Sequence, residues 1–188
     1  MILTIFKYFA RFVSLEGILS LFASGRSENE AYEKLMHEIK NATTGIIPGL
    51  KYYVFGQSFD SVKQRVDQLD GCYLFVEIGD LFSDKSEKGA IQDTLKLAAT
   101  IAKKVSTTSD LVEQAIASDE TLSMINILRA HLMKNDNRCS WMKYLPGKHS
   151  ITPFVSTEFS SVGWTLLFDP QGSDMMDVRD LSVSFSRE

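Results

Sequence analysis

The sequence contains none of the short motifs that most directly indicate catalysis. No Gly-x-Gly-x-x-Gly or Gly-x-Ser-x-Gly stretch occurs, and the Pro-Gly-Lys stretch at 146–148 lacks the flanking residues of a phosphate-binding loop. Its three histidines, His37, His131 and His149, lie far apart, and none has metal-ligand spacing with a cysteine or carboxylate. We therefore expect no cofactor and no bound metal, and the patterns do not point to an enzyme.

The chain also has few cysteines and a small net charge. The two cysteines, Cys72 and Cys139, have no partner motif, and Cys72 lies in an apolar run, so we interpret it as a buried thiol in a reducing compartment. A formal net charge of −4 argues against a protein that coats nucleic acid, and we expect no sequence-specific nucleic-acid partner. The 188 residues, 44% of them hydrophobic, are typical of one folded domain.

The first 23 residues are apolar enough to suggest a membrane span. However, Lys7, Arg11 and Glu16 are spread through this stretch, and each would cost about 2.5–3.5 kcal/mol near the bilayer centre. Polar residues at helical spacing form one narrow stripe: Thr4, Lys7, Arg11 and Ser14. The pattern predicts an amphipathic helix over 1–25 that packs on the α+β domain of 26–188 or on a neighbouring subunit, with a peripheral membrane helix as the alternative.

The next 50 residues alternate between helix and strand signals. Ser27 and Glu30 form a capping box, which predicts a helix that runs to about Asn41. Aromatic and branched residues then predict a strand. A short helix capped by Ser58 or Asp60 follows, and after it a strand that is apolar on almost both faces. These two strands are Leu50–Phe55 and Cys72–Ile78.

Two stretches after the second strand are harder to assign. Residues 79–89 are polar, and we predict a solvated loop, because the spacing of Asp80, Asp84 and Glu87 does not match a calcium-binding loop. Residues 94–104 fit both a strand pattern and a helix pattern. Apolar residues at every second position favour a strand, whereas alanines and lysines favour a helix. We predict a strand, because alternation reports packing directly.

The longest helical signal runs from Asp110 to Asn135. Four apolar residues fall on one face of this helix: Leu122, Ile125, Leu128 and Leu132. Met124 and Ile127 lie well off that face, and a second cap signal at Ser118-Asp119 suggests a break. A helix that is apolar around most of its circumference is buried by its own domain or by another subunit.

The remaining sequence predicts strands at Ile151–Val155 and Val162–Phe168, and Pro153 indicates that the first is an edge strand or enters the sheet at that residue. Trp164 and Phe168 share one face of the second strand, and we predict core packing for them rather than base stacking. A last strand is indicated by Leu181, Val183 and Phe185, which alternate with serines. Such a half-polar strand can pair with another chain.

These elements predict an α+β fold, with a mostly antiparallel sheet, helices packed on one side and the amphipathic N-terminal helix. The element order from Glu28 to Asp169 resembles that of the tail-terminator (tail-completion) and neck proteins of tailed bacteriophages and prophages. Two stretches carry the resemblance. One is TLKLAATIAKK followed by the long helix, and the other is ITPFVSTEFSSVGWTLLFD with its Gly-Trp strand.

The resemblance implies a non-enzymatic structural subunit of the virion, assembled in the bacterial cytoplasm. Such proteins form a ring, typically a hexamer, that caps the tail tube and contacts the head-neck connector proteins. The apolar helices and the last strand supply candidate interface residues, namely Phe6, Phe9, Phe12, Met124, Ile127, Leu181, Val183 and Phe185. Two other functions stay open: a membrane or secretion-system component anchored through residues 1–23, and a small enzyme with a dispersed site that includes Asp80, Asp84 and Glu87.

Overall fold

The computed structural model describes residues 1–22, 29–56, 59–85, 89–106, 110–134 and 149–172. The helices in these ranges are α1 (Ile2–Ala10), α2 (Leu15–Leu19), α3 (Glu30–Lys40), α4 (Phe59–Asp67) and α5 (Leu111–Met133). The strands are β1 (Tyr52–Gly56), β2 (Cys72–Lys85), β3 (Ile91–Lys104), β4 (Ser150–Ser156), β5 (Ser161–Phe168) and β6 (Gln171–Gly172). The predicted last strand at 181–185 lies outside the described residues.

All the described strands belong to one sheet. Its order is β1-β2-β3-β5-β4, and β6 pairs with β3 beyond the end of β5. The β1–β2 pair is parallel and every other pair is antiparallel. The predicted α+β class with a mostly antiparallel sheet is therefore confirmed. Of the two alternatives for Pro153, the structure shows the edge position, since β4 is the outermost strand and its pairing with β5 begins before Pro153 and continues through it.

The two faces of the sheet carry different helices. Alternate β2 residues such as Leu74 join a large core that includes α1, α2 and α5. Their neighbours, Tyr73 and Phe75, point to the opposite face and pack with Val62 and Val66 of α4. The expectation that all helices lie on one side therefore needs one correction, because α4 covers the second face near β1 and β2.

The two long strands β2 and β3 form a hairpin that the sequence predicted only in part. The strand predicted over 94–104 is confirmed, but β3 begins earlier, at Ile91. The prediction of a polar loop over 79–89 was wrong, because β2 continues to Lys85 and pairs with β3 as far as Lys85↔Ile91. The sequence is polar here because most β2 side chains from Gly79 to Lys85 are exposed, while the backbone of this segment is still paired with β3.

The N-terminal segment is not the single helix that the sequence predicted. It divides into α1 and α2, because Ser14 caps α2: its Oγ accepts from the Gly17 N–H and donates to the Lys51 carbonyl, at 3.2 and 2.8 Å. A Cβ at Gly17 would lie 1.6 Å from that carbonyl oxygen, so only glycine allows this approach. Backbone N–H groups of residues 45–47 donate to carbonyls of residues 11–13 and fix the turn between the helices.

The apolar side chains of this segment belong to the main core. Five of them are fully buried: Ile5, Phe9, Phe12, Val13 and Ile18. The Phe9 ring lies 6.3 Å from that of Phe168 on β5, and on the polar stripe Lys7 forms an ion pair with Glu38 of α3 at 2.9 Å. Residues 1–22 thus share one hydrophobic core with the rest of the chain. No helix in the described ranges is both long and apolar enough to cross a lipid bilayer.

Two helix boundaries differ from those predicted. Helix α3 begins at Glu30 with Asn29 as its cap, through a bond from the Ala31 N–H at 2.9 Å, whereas Ser27 lies outside the described residues. Helix α5 is continuous, so the predicted break at Ser118 was wrong. The Trp164 Nε1–H donates to the Ser118 carbonyl and hydroxyl at 3.0 and 3.1 Å, which holds α5 against β5 at this point. The core packing predicted for Trp164 is confirmed.

Replacement of Phe9 by alanine tests whether residues 1–22 contribute to the core. We expect Phe9→Ala to lower the free energy of unfolding by about 3–5 kcal/mol, because it leaves a cavity in the main core. The matched control is Leu3→Ala on the same helix, where the side chain is half exposed and the expected loss is within about 0.5 kcal/mol. Urea denaturation followed by circular dichroism measures both. Equal, small losses would mean that the segment is an appendage.

Candidate assembly surfaces

The β2–β3 hairpin extends past the sheet at one end. β1 pairs with β2 only as far as Glu77, so from Gly79 onward the outer edge of β2 has no neighbouring strand within the described residues. On the other side, β6 pairs with Asp93 and Thr94 of β3 and braces the hairpin. We call residues 79–85 and 91–96 the hairpin end. At about 3.3 Å per residue, its β2 strand is roughly 20 Å long.

A β-bulge decides which side chains the hairpin end exposes. The register between β2 and β3 shifts between Ile78 and Leu81, and both of these residues pack against the main core. The shift reverses the alternation beyond it, so Phe82 turns to the opposite face, where 45% of its surface is exposed. The Lys96 ammonium lies over its ring, 4.9 Å from the centroid. The hairpin end therefore presents an exposed aromatic side chain.

A groove lies at the other end of the same two strands, where β3 leads into α5. It consists of two adjoining hollows of about 280 and 230 Å³ that share Val105 and Ser106. The first is lined by Lys103, Lys104, Glu113, Ile116 and Ala117. The second is lined by Gln114, Val155, Ser156, Thr157, Ser160, Ser161 and Val162. We refer to these two hollows together as the groove.

Apolar side chains with unusually high exposure stand in and beside the groove. They are Leu111 (82%), Val112 (66%), Ile116 (62%) and Val155 (74%). Asp110 caps α5 by accepting from the N–H groups of Val112 and Glu113 at 2.9 and 2.8 Å, which starts the helix at this apolar turn. Clustered exposed apolar residues of this kind make the groove a candidate binding surface.

Charged groups surround both surfaces. At the groove, the Lys103 ammonium pairs with Glu120, and the Lys104 ammonium donates to the Phe159 carbonyl at 2.8 Å. Glu113 is exposed at its rim. At the hairpin end, Asp80, Asp84 and Lys85 are exposed on the same strand as Phe82. Each surface thus combines exposed apolar groups with charges of both signs.

The buried thiol of Cys72 is the strongest nucleophile candidate among the described residues, and its surroundings suppress that chemistry. Burial, together with the Glu120 carboxylate, raises the pKa of Cys72 to about 11, so the thiol stays protonated at neutral pH. The prediction of a buried thiol is confirmed.

Within the described ranges, no group of three or more His, Cys, Asp or Glu residues is placed to hold a metal ion. Asp80 and Asp84 are exposed, and Glu87 lies outside the described residues.

The predicted interface residues differ in how far the structure exposes them. Phe9, Phe12 and Met124 are buried in the chain's own core, so their side chains face no partner in this conformation. Phe6 is partly buried against Tyr53 and Phe55, whereas Ile127 is exposed and stays a candidate. Leu181, Val183 and Phe185 lie outside the described residues.

Sequence reasoning missed both the hairpin end and the groove. The useful signal for the hairpin was the apolar pair Leu81-Phe82 inside a stretch that is otherwise polar. For the groove, it was the apolar pair Leu111-Val112 directly after the Asp110 cap, where a solvated helix usually begins with polar residues.

No protein-family model matches the chain, and no curated protein matches it.

The reactivity of Cys72 can be measured directly in a Cys139→Ser variant, which leaves one thiol in the chain. Because burial holds the thiol in its protonated form, we expect at least a tenfold slower reaction with iodoacetamide at pH 8 than in urea-unfolded protein. The rate should rise as the pH approaches 11. Reaction at the unfolded rate at pH 8 would contradict this and favour a functional thiol.

Proposed function

We propose that this chain is a non-enzymatic structural subunit of a phage tail or neck. It assembles with copies of itself into a ring, probed first as a hexamer, that caps the tail tube and joins it to the head. Its partners are then other copies of the chain, the tail-tube protein and the head-neck connector proteins. It acts in the virion after assembly in the bacterial cytoplasm.

The observation that carries the proposal is the presence of two different exposed apolar surfaces, the hairpin end and the groove, in one chain. Burial of apolar surface stabilises a contact by about 25 cal/mol per Å², so both surfaces favour association. Two unlike surfaces that bind each other make heterologous contacts, and such contacts close into rings when the rotation between copies allows it. A ring subunit needs this kind of surface.

The fold is compatible with the resemblance on which the proposal also depends. The long helix α5 follows the strand of TLKLAATIAKK, and the Gly-Trp pair lies on β5, next to β3 in the sheet. This is the order of elements that the resemblance requires. It supports the proposal through topology, without a matching family model.

The N-terminal segment gives less support to the membrane alternative. Its large apolar residues, Phe9, Phe12 and Ile18 among them, are fully buried in the core. Insertion into a bilayer would have to remove these side chains from the sheet and from α5, which would leave a large cavity. The ring proposal needs no such rearrangement, because its two surfaces are already exposed.

The proposal is tested by deleting the gene in the phage or prophage that carries it. We expect tails of uncontrolled length that do not join heads, because a missing terminator leaves tube growth unchecked, and a plasmid copy of the gene should restore uniform tails. Electron microscopy of lysates measures the tail lengths. The flanking genes should encode tail-tube, tape-measure and capsid-like proteins. Tails of normal length, or metabolic genes as neighbours, would refute this function.

A further inference from the structure

The hairpin end and the groove lie at opposite ends of one strand. β3 begins at Ile91 in the hairpin end and finishes at Lys104 in the groove. At about 3.3 Å per residue, the ten residue steps from Thr94, which pairs with Phe82, to Lys104 span roughly 33 Å. Because a paired strand in the middle of a sheet cannot fold back, the hairpin end of a chain cannot reach its own groove. Any contact between them joins two molecules.

We infer that the hairpin end of one copy docks into the groove of the next, with Phe82 against Ile116. The inference deepens the proposed function, and rests on it, by naming the surfaces through which copies associate. Phe82 is the exposed aromatic residue of the hairpin end, and Ile116 is the most exposed apolar residue that lines the larger hollow. Aromatic side chains that fill pockets at the centre of an interface supply much of the binding energy.

The dimensions of the two surfaces match. The larger hollow, of about 280 Å³, is close to the lower limit of ligand-sized pockets, and it is much larger than the space one water molecule takes. It therefore accepts one large side chain rather than a whole helix. A narrow hairpin with one projecting ring has this shape, and the second hollow beside Val155 leaves room for the adjacent strand.

The charges are complementary in both signs. Asp80 and Asp84 stand on either side of Phe82 along β2, and the larger hollow is lined by Lys103 and Lys104. In the opposite sense, Lys85 and Lys96 of the hairpin end can face Glu113 at the rim of the groove. Opposite charges at corresponding positions orient an approaching partner.

In head-to-tail docking, two variants that are each defective in a different surface can still bind each other, and mixing them tests this. Phe82→Asp disables the hairpin end, and Ile116→Asp disables the groove, because each places a carboxylate in an apolar contact. We expect either variant alone to be a monomer, with self-association at least about a hundredfold weaker than in the wild type. An equimolar mixture retains one intact hairpin end and one intact groove, so it should form a heterodimer of twice 21.1 kDa and nothing larger.

Light scattering after gel filtration measures these masses, with Leu3→Asp as the matched control. Leu3 is also half exposed but lies on α1, away from both surfaces, so this variant should assemble like the wild type. Circular dichroism verifies that each variant folds. If either aspartate variant does not fold, the milder pair Phe82→Ser and Ile116→Ser replaces it.

A second measurement joins the surfaces covalently. In a Cys139→Ser background, Lys85→Cys and Glu113→Cys in the same chain leave Phe82 and Ile116 intact. They should give a ladder of disulfide-linked oligomers on mild oxidation, since residues that face each other across the docked surfaces lie within disulfide reach. Each single variant should give at most the dimer. The ladder supports the docking, whereas its absence in a folded double variant overturns it.

Several results would overturn the docking. They are a wild-type chain that stays monomeric at 100 μM, an aspartate variant that still assembles, and a mixture that remains monomeric. The wild-type chain would stay monomeric if another segment of the same chain filled the groove. The tail-length assay decides the proposed function separately. If the mixed variants form heterodimers but gene deletion leaves tails of normal length, the docking stands and the phage function is refuted. If the wild-type chain is a monomer but gene deletion gives tails of uncontrolled length, the phage function stands and the docking is refuted.

Discussion

The pairing of β2 with β3 is the constraint on which the rest of the structure depends. β3 also pairs with β5 and β6, and the long helix α5 packs over it and β5. Because both strands of the pair are 14 residues long, they extend beyond the rest of the sheet at the hairpin end. The same length separates the two exposed apolar surfaces. A shorter pair would leave a rounded molecule without a projecting end.

The N-terminal segment shows why apolar content alone does not indicate a location. Its composition is compatible with a bilayer surface, an intersubunit contact or a core, since all three accept phenylalanine and isoleucine. The choice is made by specific polar contacts, above all Ser14 and Gly17 against the Lys51 carbonyl and Lys7 against Glu38. These contacts fix both helices on the sheet, so that their apolar faces fill the main core.

Much of the fold could be predicted from the sequence, because its periodic patterns are local. Residues 95, 97, 99 and 101 alternate along β3, and this outweighed the helical propensity of the neighbouring alanines and lysines. The bulge beyond Ile78 could not be predicted in this way, because a register shift depends on the partner strand. The exposure of Phe82 follows from that shift. The groove was beyond prediction for a similar reason, since one wall comes from the junction of β3 and α5 and the other from the β4–β5 turn, about 50 residues later in the sequence.

The contact between Phe9 and Phe168 has a consequence for synthesis. The two residues are about 160 positions apart, so the first part of the core leaves the ribosome long before its partners on β5. At about 5–20 residues per second, translation of the intervening chain takes roughly 10 to 30 seconds. During that interval β1, β2, β3 and α5 emerge in turn, but the rings of α1 still lack β5. The nascent chain therefore carries a partly covered apolar segment that chaperones can bind, and its core closes only after β5 has left the ribosome.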